Sequence, residues 1–266
     1  MLYLAIGTGI LFLPGCGASD QSQIIVAGST SVQPYAEVLA EEFSHQYPGS
    51  EVDIQGGGSS AGISAAESGT AEIGMSSRHL TEKESHLLAV EIAKDGLAVI
   101  IHPSNPIEDL TLEQIQRIYT MDITEWSELG GPQKKIHLIA REEGSGTRSA
   151  FEELVMDKKA ITPKCIIQDS NGAVRQLVSD DPYSVGYISL GLLDDSVKAL
   201  KLEGVLPSSE AIENGTYSLY RPFLFVMSTA PSGMTKTFLD FTMSPDGQKI
   251  LMDEGLIPPS EGASPS

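Results

Sequence analysis

Short apolar runs alternate with helix-patterned stretches along most of this chain, and that alternation limits its fold more than any other feature. Ile24-Ile25-Val26-Ala27, Val52-Asp53-Ile54, Ile73-Gly74-Met75 and Leu97-Ala98-Val99-Ile100-Ile101 read as strands. Between them, residues 32–47 read as a helix with Val38, Leu39 and Phe43 on one face and Pro48-Gly49 as its stop. Residues 61–68 read as a short helix closed by Gly69. A second series follows, with strands at 136–139, 164–167 and 185–188 and helices at 147–156 and 173–178. Phe223-Leu224-Phe225-Val226-Met227 is a further strand, and helices start near Met234 and Pro245. The pattern predicts an α/β fold with crossover connections. At 266 residues the chain suits one large domain or two of roughly 130, with enough core to need no disulfide or metal staple.

The charge is strongly one-sided. Seventeen Lys and Arg stand against 36 Asp and Glu, a net −19, and no Lys or Arg precedes Arg78. Nucleic acid is excluded as a partner, since affinity there comes from cations neutralising phosphates. An anion would also be repelled in general, so any anion bound must be caught by local geometry. The two cysteines, Cys16 and Cys165, show no zinc-ligand spacing, and the five His are scattered. No metal or cofactor is expected. Cys165, beside Ile166 and Ile167, reads as a small buried apolar side chain. Residues 2–14 are apolar apart from Gly and Thr, too short for a comfortable membrane span and suited to a signal-peptide core. Leu13-Pro14-Gly15-Cys16 then looks like the lipobox of secreted lipoproteins, which would make Cys16 a lipidated residue and residues 1–20 a signal segment. Residues 258–266 form a Pro/Ser/Gly tail expected to be disordered.

Helix N-termini carry partial positive charge, so Asp and Glu are normally welcome in the first turn. The starts after Thr81, Thr111 and Ser244 obey, with Glu82 and Glu84, Glu113, and Asp246. Four others carry no acid: Ser31-Val32-Gln33-Pro34, Ser59-Ser60-Ala61-Gly62, Ser145-Gly146-Thr147-Arg148 and Asn171-Gly172-Ala173-Val174. Each offers hydroxyls or an amide beside glycine or a neighbouring glycine loop, the composition of an anion nest. Arg141 stands four residues before Ser145 at the end of a strand. In an open α/β sheet, loops at the carboxyl ends of strands converge on the ligand crevice.

Other chemistries fit less well. Gly56-x-Gly58-x-x-Ala61 matches a dinucleotide fingerprint, but the acid expected about 20 residues on should end a strand, and Glu72 instead precedes one. A P-loop pattern is absent. Ser145 in Gly144-Ser145-Gly146 could serve a serine hydrolase, although the segment lacks the nucleophile elbow and no His lies near it in sequence. Arg148 has Glu152 at i+4 and is expected to pair with it.

Four segments together resemble one family: Gly28-Ser29-Thr30-Ser31, Gly57-Gly58-Ser59-Ser60-Ala61-Gly62, Ile73-Gly74-Met75-Ser76-Ser77-Arg78, and residues 141–148 with their R-x-x-x-S-G-T pattern. It is the phosphate-binding receptor of the high-affinity ABC phosphate importer. Residues 123–131 and 185–191 are similar to further family segments, and the likeness spans about 24–256. The resemblance implies a type II periplasmic binding protein fold, two α/β lobes joined by two crossover strands. Lobe one would hold residues 24–100 plus 222–257 and lobe two 103–218, with hinges near His102-Pro103 and Tyr220-Arg221. It implies a monomeric, extracytoplasmic, lipid-anchored receptor that performs no chemistry and delivers phosphate to membrane permease subunits. Carried over by motif, the phosphate ligands would be Thr30, Ser31, Ser59, Ser77, Arg78, Arg141, Ser145, Gly146 and Thr147. Arg141 would supply a bidentate fork. Long members of the family carry an Asp at the third loop that accepts the proton of HPO₄²⁻; here Ser77 stands there, followed by Arg78. A hydroxyl can accept that hydrogen bond yet can also donate to sulfate, which a carboxylate would repel. A receptor for sulfate, molybdate or tungstate is therefore the competing expectation.

Overall fold

The computed structural model describes residues 22–259 with the exception of Lys158. Cys16 with its apolar leader, and residues 260–266 of the tail, lie outside the described residues. In chain order the elements are β1 (Ser22–Gly28), α1 (Gln33–Gln46), β2 (Ser50–Gly56), α2 (Ser59–Ser68), β3 (Ile73–Ser76), β4 (Leu88–Ile101), β5 (Asp109–Leu110) and α3 (Leu112–Tyr119). Then come β6 (His137–Arg141), α4 (Gly146–Leu154), β7 (Ile166–Gln168), α5 (Asn171–Asp180), β8 (Ser184–Ser189), β9 (Lys198–Ala199) and β10 (Lys201–Leu202). The chain continues through α6 (Ser209–Glu213), β11 (Tyr220–Met227), α7 (Gly233–Met243) and α8 (Pro245–Asp253). Pro34 sits in the first turn of α1 and Pro245 in that of α8, where a missing N–H costs nothing.

The main sheet runs β2-β1-β3-β11-β4-β8-β6-β7, with β9 added on β4. Its two flanks are parallel, β1 with β2 and β3, and β6 with β7 and β8. The centre is antiparallel, β11 against β3 and β4, and β4 against β8. The fourteen-residue β4 joins the flanks by changing partners. Its residues 88–96 pair with β11 and residues 97–101 with β8, so the change falls between Gly96 and Leu97. Residues 97–100, expected with the first flank, thus pair in the second, so the change of partner comes several residues before His102-Pro103.

Each flank carries its own core. Ile24, Val26, Phe43, Ile73, Phe223, Phe225 and Phe238 cluster on the first, with Phe43 and Phe238 edge to face at 5.2 Å. Ile101, Tyr119, Trp126, Phe151 and Tyr187 cluster on the second, where the rings of Phe151 and Tyr187 stack at 4.0 Å. Burying one such side chain contributes roughly 1.5–3 kcal/mol, so each flank is anchored by its own aromatics. Cys165 is buried in the second core, and that burial pushes its thiol up to about 11, an unreactive state. Among the described residues no helix is long and apolar enough to cross a membrane.

Candidate functional site

The four acid-free starts singled out from the sequence open α1, α2, α4 and α5, and none of these helices has an acidic residue in its first turn. Although the strands leading into them lie far apart in the sheet order, hydrogen bonds join these starts across the two flanks. Gly28 ends β1 at φ +139°, and a Cβ there would stand 2.4 Å from Met75 O and 2.8 Å from the Gly62 Cα. Only glycine lets β1 turn into α1 while α2 presses on β1 and β3. From that turn the carbonyl of Gly28 accepts from the N–H groups of Gly57 and Gly58 at 2.8 and 2.9 Å, setting the start of α2 beside that of α1.

The hydroxyls meet across the two flanks. Ser31 Oγ and Thr147 Oγ1 are 2.8 Å apart, and Asn171 Nδ2 donates to Ser31 Oγ at 2.9 Å. The starts of α1, α4 and α5 therefore share one hydroxyl. On the other side Ser29 Oγ donates to Ser77 Oγ at 2.8 Å, and the Ser77 N–H donates to Ser59 Oγ at 3.0 Å. Gly146 closes against this pair: a Cβ on it would lie 2.3 Å from Ser59 Oγ and 2.4 Å from Ser77 Oγ. The Ser60 N–H donates to Gly144 O at 3.1 Å, a further bond between the flanks. Ser29, Ser31, Ser59, Ser77, Ser145, Thr147 and Asn171 are all buried. Buried hydroxyls bonded to one another, beside four positive helix ends, suit a compact anion.

Arg141 supplies the full charge. It ends β6, is 1% exposed, and its backbone N–H donates to the Tyr187 hydroxyl at 3.2 Å, which ties the site to the aromatic core. Nη2 donates to Thr30 Oγ1 at 3.1 Å and to Asp169 O at 3.1 Å, while Nη1 lies 3.5 Å from Thr147 Oγ1. Glu142 takes Nε at 2.9 Å and Nη2 at 3.1 Å. Its side chain is 28% exposed, so water shares its charge and leaves the guanidinium with positive potential inward.

Of the residues singled out from sequence, Thr30, Ser31, Ser59, Ser77, Arg141, Gly146 and Thr147 come together here. Ser145 is buried beside them, but its Oγ accepts from the Arg148 N–H at 3.2 Å as the α4 cap. Arg78 is placed differently. Its Nη1 and Nη2 grip Glu84 at 2.8 and 2.9 Å, and Nη2 reaches Ser60 Oγ only at 3.4 Å. That bidentate grip holds Glu84 down at about 2 and turns the Arg78 charge to a carboxylate instead of the hydroxyl cluster. Arg148 pairs with Glu152 at 2.8 Å, as its i+4 spacing predicts. Asn171, Ser29, Asp95, Ser189 and Arg221 also belong to the cluster and were not in the sequence-derived set. Asn171 opened one of the acid-free starts, a signal that could have included it; the register that brings Asp95 to Arg221 leaves no local trace.

Two flanks with separate cores, two long central strands and an anion-suited site between them define a two-lobed solute-binding protein. The sequence agrees: residues 17–246 match the PBP superfamily domain. The chain belongs to that superfamily and, within it, to the family of the PstS phosphate-binding proteins. It is 33% identical over 241 residues to the phosphate-binding protein PstS of Bacillus subtilis, covering 88% of this chain and 80% of that protein. A putative phosphate ABC transporter substrate-binding protein from Clostridium perfringens, solved with bound phosphate, is 44% identical. It superposes with a TM-score of 0.87 over 90% of this chain and 100% of its own. An ABC-type phosphate transport receptor from Vibrio cholerae is 40% identical with a TM-score of 0.75, over 90% of this chain and 100% of its own.

Proposed function

We propose that this protein is an extracytoplasmic receptor that captures inorganic phosphate between two closing lobes and delivers it to the permease of an ABC importer. The observation that carries the reading is the convergence of four acid-free helix starts and the Arg141 guanidinium on one buried hydroxyl cluster. The names of the relatives support phosphate as the guest. The protein acts by capture and release, as a monomer, and catalyses nothing. A boundary between Gly96 and Leu97, where β4 changes partners, divides residues 24–96 with 222–257 from residues 97–218. Cys16 is the lipid anchor that keeps the receptor at the outer face of the membrane.

Thr30, Ser31, Ser59, Ser77 and Thr147 offer hydroxyls, Gly146 and its neighbours offer backbone N–H groups, and Arg141 offers the fork. Each hydrogen bond to a charged guest contributes on the order of 1.5–3 kcal/mol, so loss of the fork is the severest single change. In titration calorimetry, Arg141→Ala should weaken phosphate binding about 100-fold or more. Affinity within about threefold of wild type would overturn the assignment.

One feature favours a second reading. Ser77 Oγ meets the hydroxyls of Ser29 and Ser59 and not a carboxylate, so nothing at this loop repels a fully deprotonated oxyanion. Wild-type titrations with phosphate and sulfate near pH 7 separate the two. Tighter binding of sulfate would make the protein a receptor for that ion.

A further inference from the structure

A second buried guanidinium lies against the same hydroxyls. Arg221 on β11 stands opposite Asp95 on β4 in the strand register, where β4 exchanges β11 for β8. Arg221 is 3% exposed and Asp95 1%. Nε and Nη2 of Arg221 both donate to Asp95 Oδ2, at 3.2 and 3.0 Å, and Ser189 Oγ donates to Oδ1 at 2.8 Å. Nη2 also donates to Ser31 Oγ at 3.1 Å. Nη1 is buried and has no hydrogen-bond partner among the described residues.

The planar fork says where Nη1 points. A guanidinium has a side edge, formed by Nε–H and one hydrogen of Nη2, and an end edge, formed by the other hydrogen of Nη2 and one of Nη1. Asp95 occupies the side edge. The remaining Nη2 hydrogen, which Ser31 receives, therefore lies on the end edge, and the neighbouring Nη1–H runs nearly parallel to it. The unpaired prong is thus aimed at the surroundings of Ser31 Oγ, the hydroxyl that α1, α4 and α5 share. A buried cationic donor left unpaired is costly, and an oxygen held at Ser31 would satisfy it.

Arg221 also sets the polarity of Ser31. A hydroxyl has two acceptor lone pairs and one proton. Asn171 Nδ2 and Arg221 Nη2 fill both lone pairs, so Ser31 can only donate, to Thr147 Oγ1 here or to a guest oxygen.

We propose that Arg221 is a second guanidinium of the anion site, with Nη1 donating to an oxygen of the guest and Nη2 keeping Ser31 a donor toward it. Asp95 and Ser189 hold the fork in this orientation. Arg141 and Arg221 then grip the guest from two places in the sheet, one from the end of β6 and one from the start of β11. The inference rests on the phosphate reading above.

The experiment has two parts. In wild-type protein labelled with ¹⁵N-arginine, titration with inorganic phosphate should shift the side-chain resonances of Arg221 together with those of Arg141, leaving those of Arg175 in place. Phosphate affinity is then compared between wild type and the double variant Asp95→Asn with Arg221→Gln. The pair of changes removes both charges at once and strands neither. The double variant should melt near the wild type without ligand and bind phosphate about tenfold or more weakly. Affinity within about twofold of wild type would overturn the proposal. If the double variant fails to fold, the wild-type spectrum decides alone: Arg221 resonances unmoved at saturating phosphate, while those of Arg141 shift, would overturn it as well. A wild type that binds no phosphate is a different outcome, since it overturns the phosphate reading itself.

Discussion

The helix starts of this protein fall into two groups, and the contrast between them explains where a guest can bind. At α3, Thr111 caps the first turn, Gln114 reaches back to it, and Glu113 faces the positive end of the helix. At the short turn over Glu82–Glu84, the Glu84 carboxylate accepts from the Thr81 N–H at 2.8 Å and holds Arg78 besides. These starts are satisfied from within. At α1, α2, α4 and α5 the first turns contain no acid, and the starts face one another in the interior. Absence of an acid does not suffice by itself: α7 lacks one too, yet its start at Ser232 and Gly233 is exposed and faces none of the others. A helix end that is buried, unpaired with its own carboxylate and aimed at three others leaves its positive potential for a visitor.

The largest effect on this contrast should come from Gly146. Gly146→Ala places a methyl against the Ser59 and Ser77 hydroxyls, with the Ser77 backbone carbon 3.0 Å away, so α4 cannot approach α2 as it does here. Overpacking of this kind costs about 1–3 kcal/mol, which predicts phosphate affinity lowered roughly 10- to 100-fold by calorimetry. Unchanged affinity would mean that the approach of these two starts plays no part in capture.

A smaller change converts one group into the other. Gly172 is exposed in the first turn of α5, and a Cβ there meets nothing within 4 Å. Gly172→Asp should stabilise the helix by about 0.5–1.5 kcal/mol, from better propensity and a favourable charge at its N-terminus. The same charge should weaken phosphate binding about two- to fivefold, since the helix end then serves its own carboxylate. A higher melting temperature with undiminished affinity would remove α5 from the anion field.

The smallest effect on binding belongs to an acid-bearing start. Arg78 holds the Glu84 carboxyl at about 2 instead of the ordinary 4.5, so this pair stabilises the fold fully above pH 4.5 and loses its contribution as pH falls toward 2. Acid-unfolding curves of Glu84→Gln should lack that part of the decline. Its phosphate affinity near pH 7 should change less than that of either glycine variant. A loss as large as that of Gly146→Ala would place the Arg78–Glu84 pair in the binding machinery after all.

Much of the architecture was readable in advance because its causes are short-range. The strand at 73–76, the Pro34 and Pro245 starts and the Gly69 stop each follow from residues within a turn of one another. Residues 88–96 were harder. Glu91, Lys94 and Asp95 interrupt the apolar run there, and their place in the sheet comes only from pairing with β11. Arg78 and Arg141 look alike as arginines at strand ends. Only Arg78 has a carboxylate presented by a capped turn six residues on, which takes both of its outer nitrogens.

The amino-acid order by itself determined where helices begin, which of those beginnings carry no acid, and that an arginine stands just ahead of one of them. Caps, propensity and charge near a helix end act over a few residues, so they are written locally. The meeting of those beginnings, the closeness of Gly146 to Ser59 and Ser77, and the pairing of Asp95 with Arg221 across 126 residues were decided by tertiary structure. Strand register and the crossing of β4 between the two flanks are set by the packing of both cores together, and no local stretch of sequence contains that information.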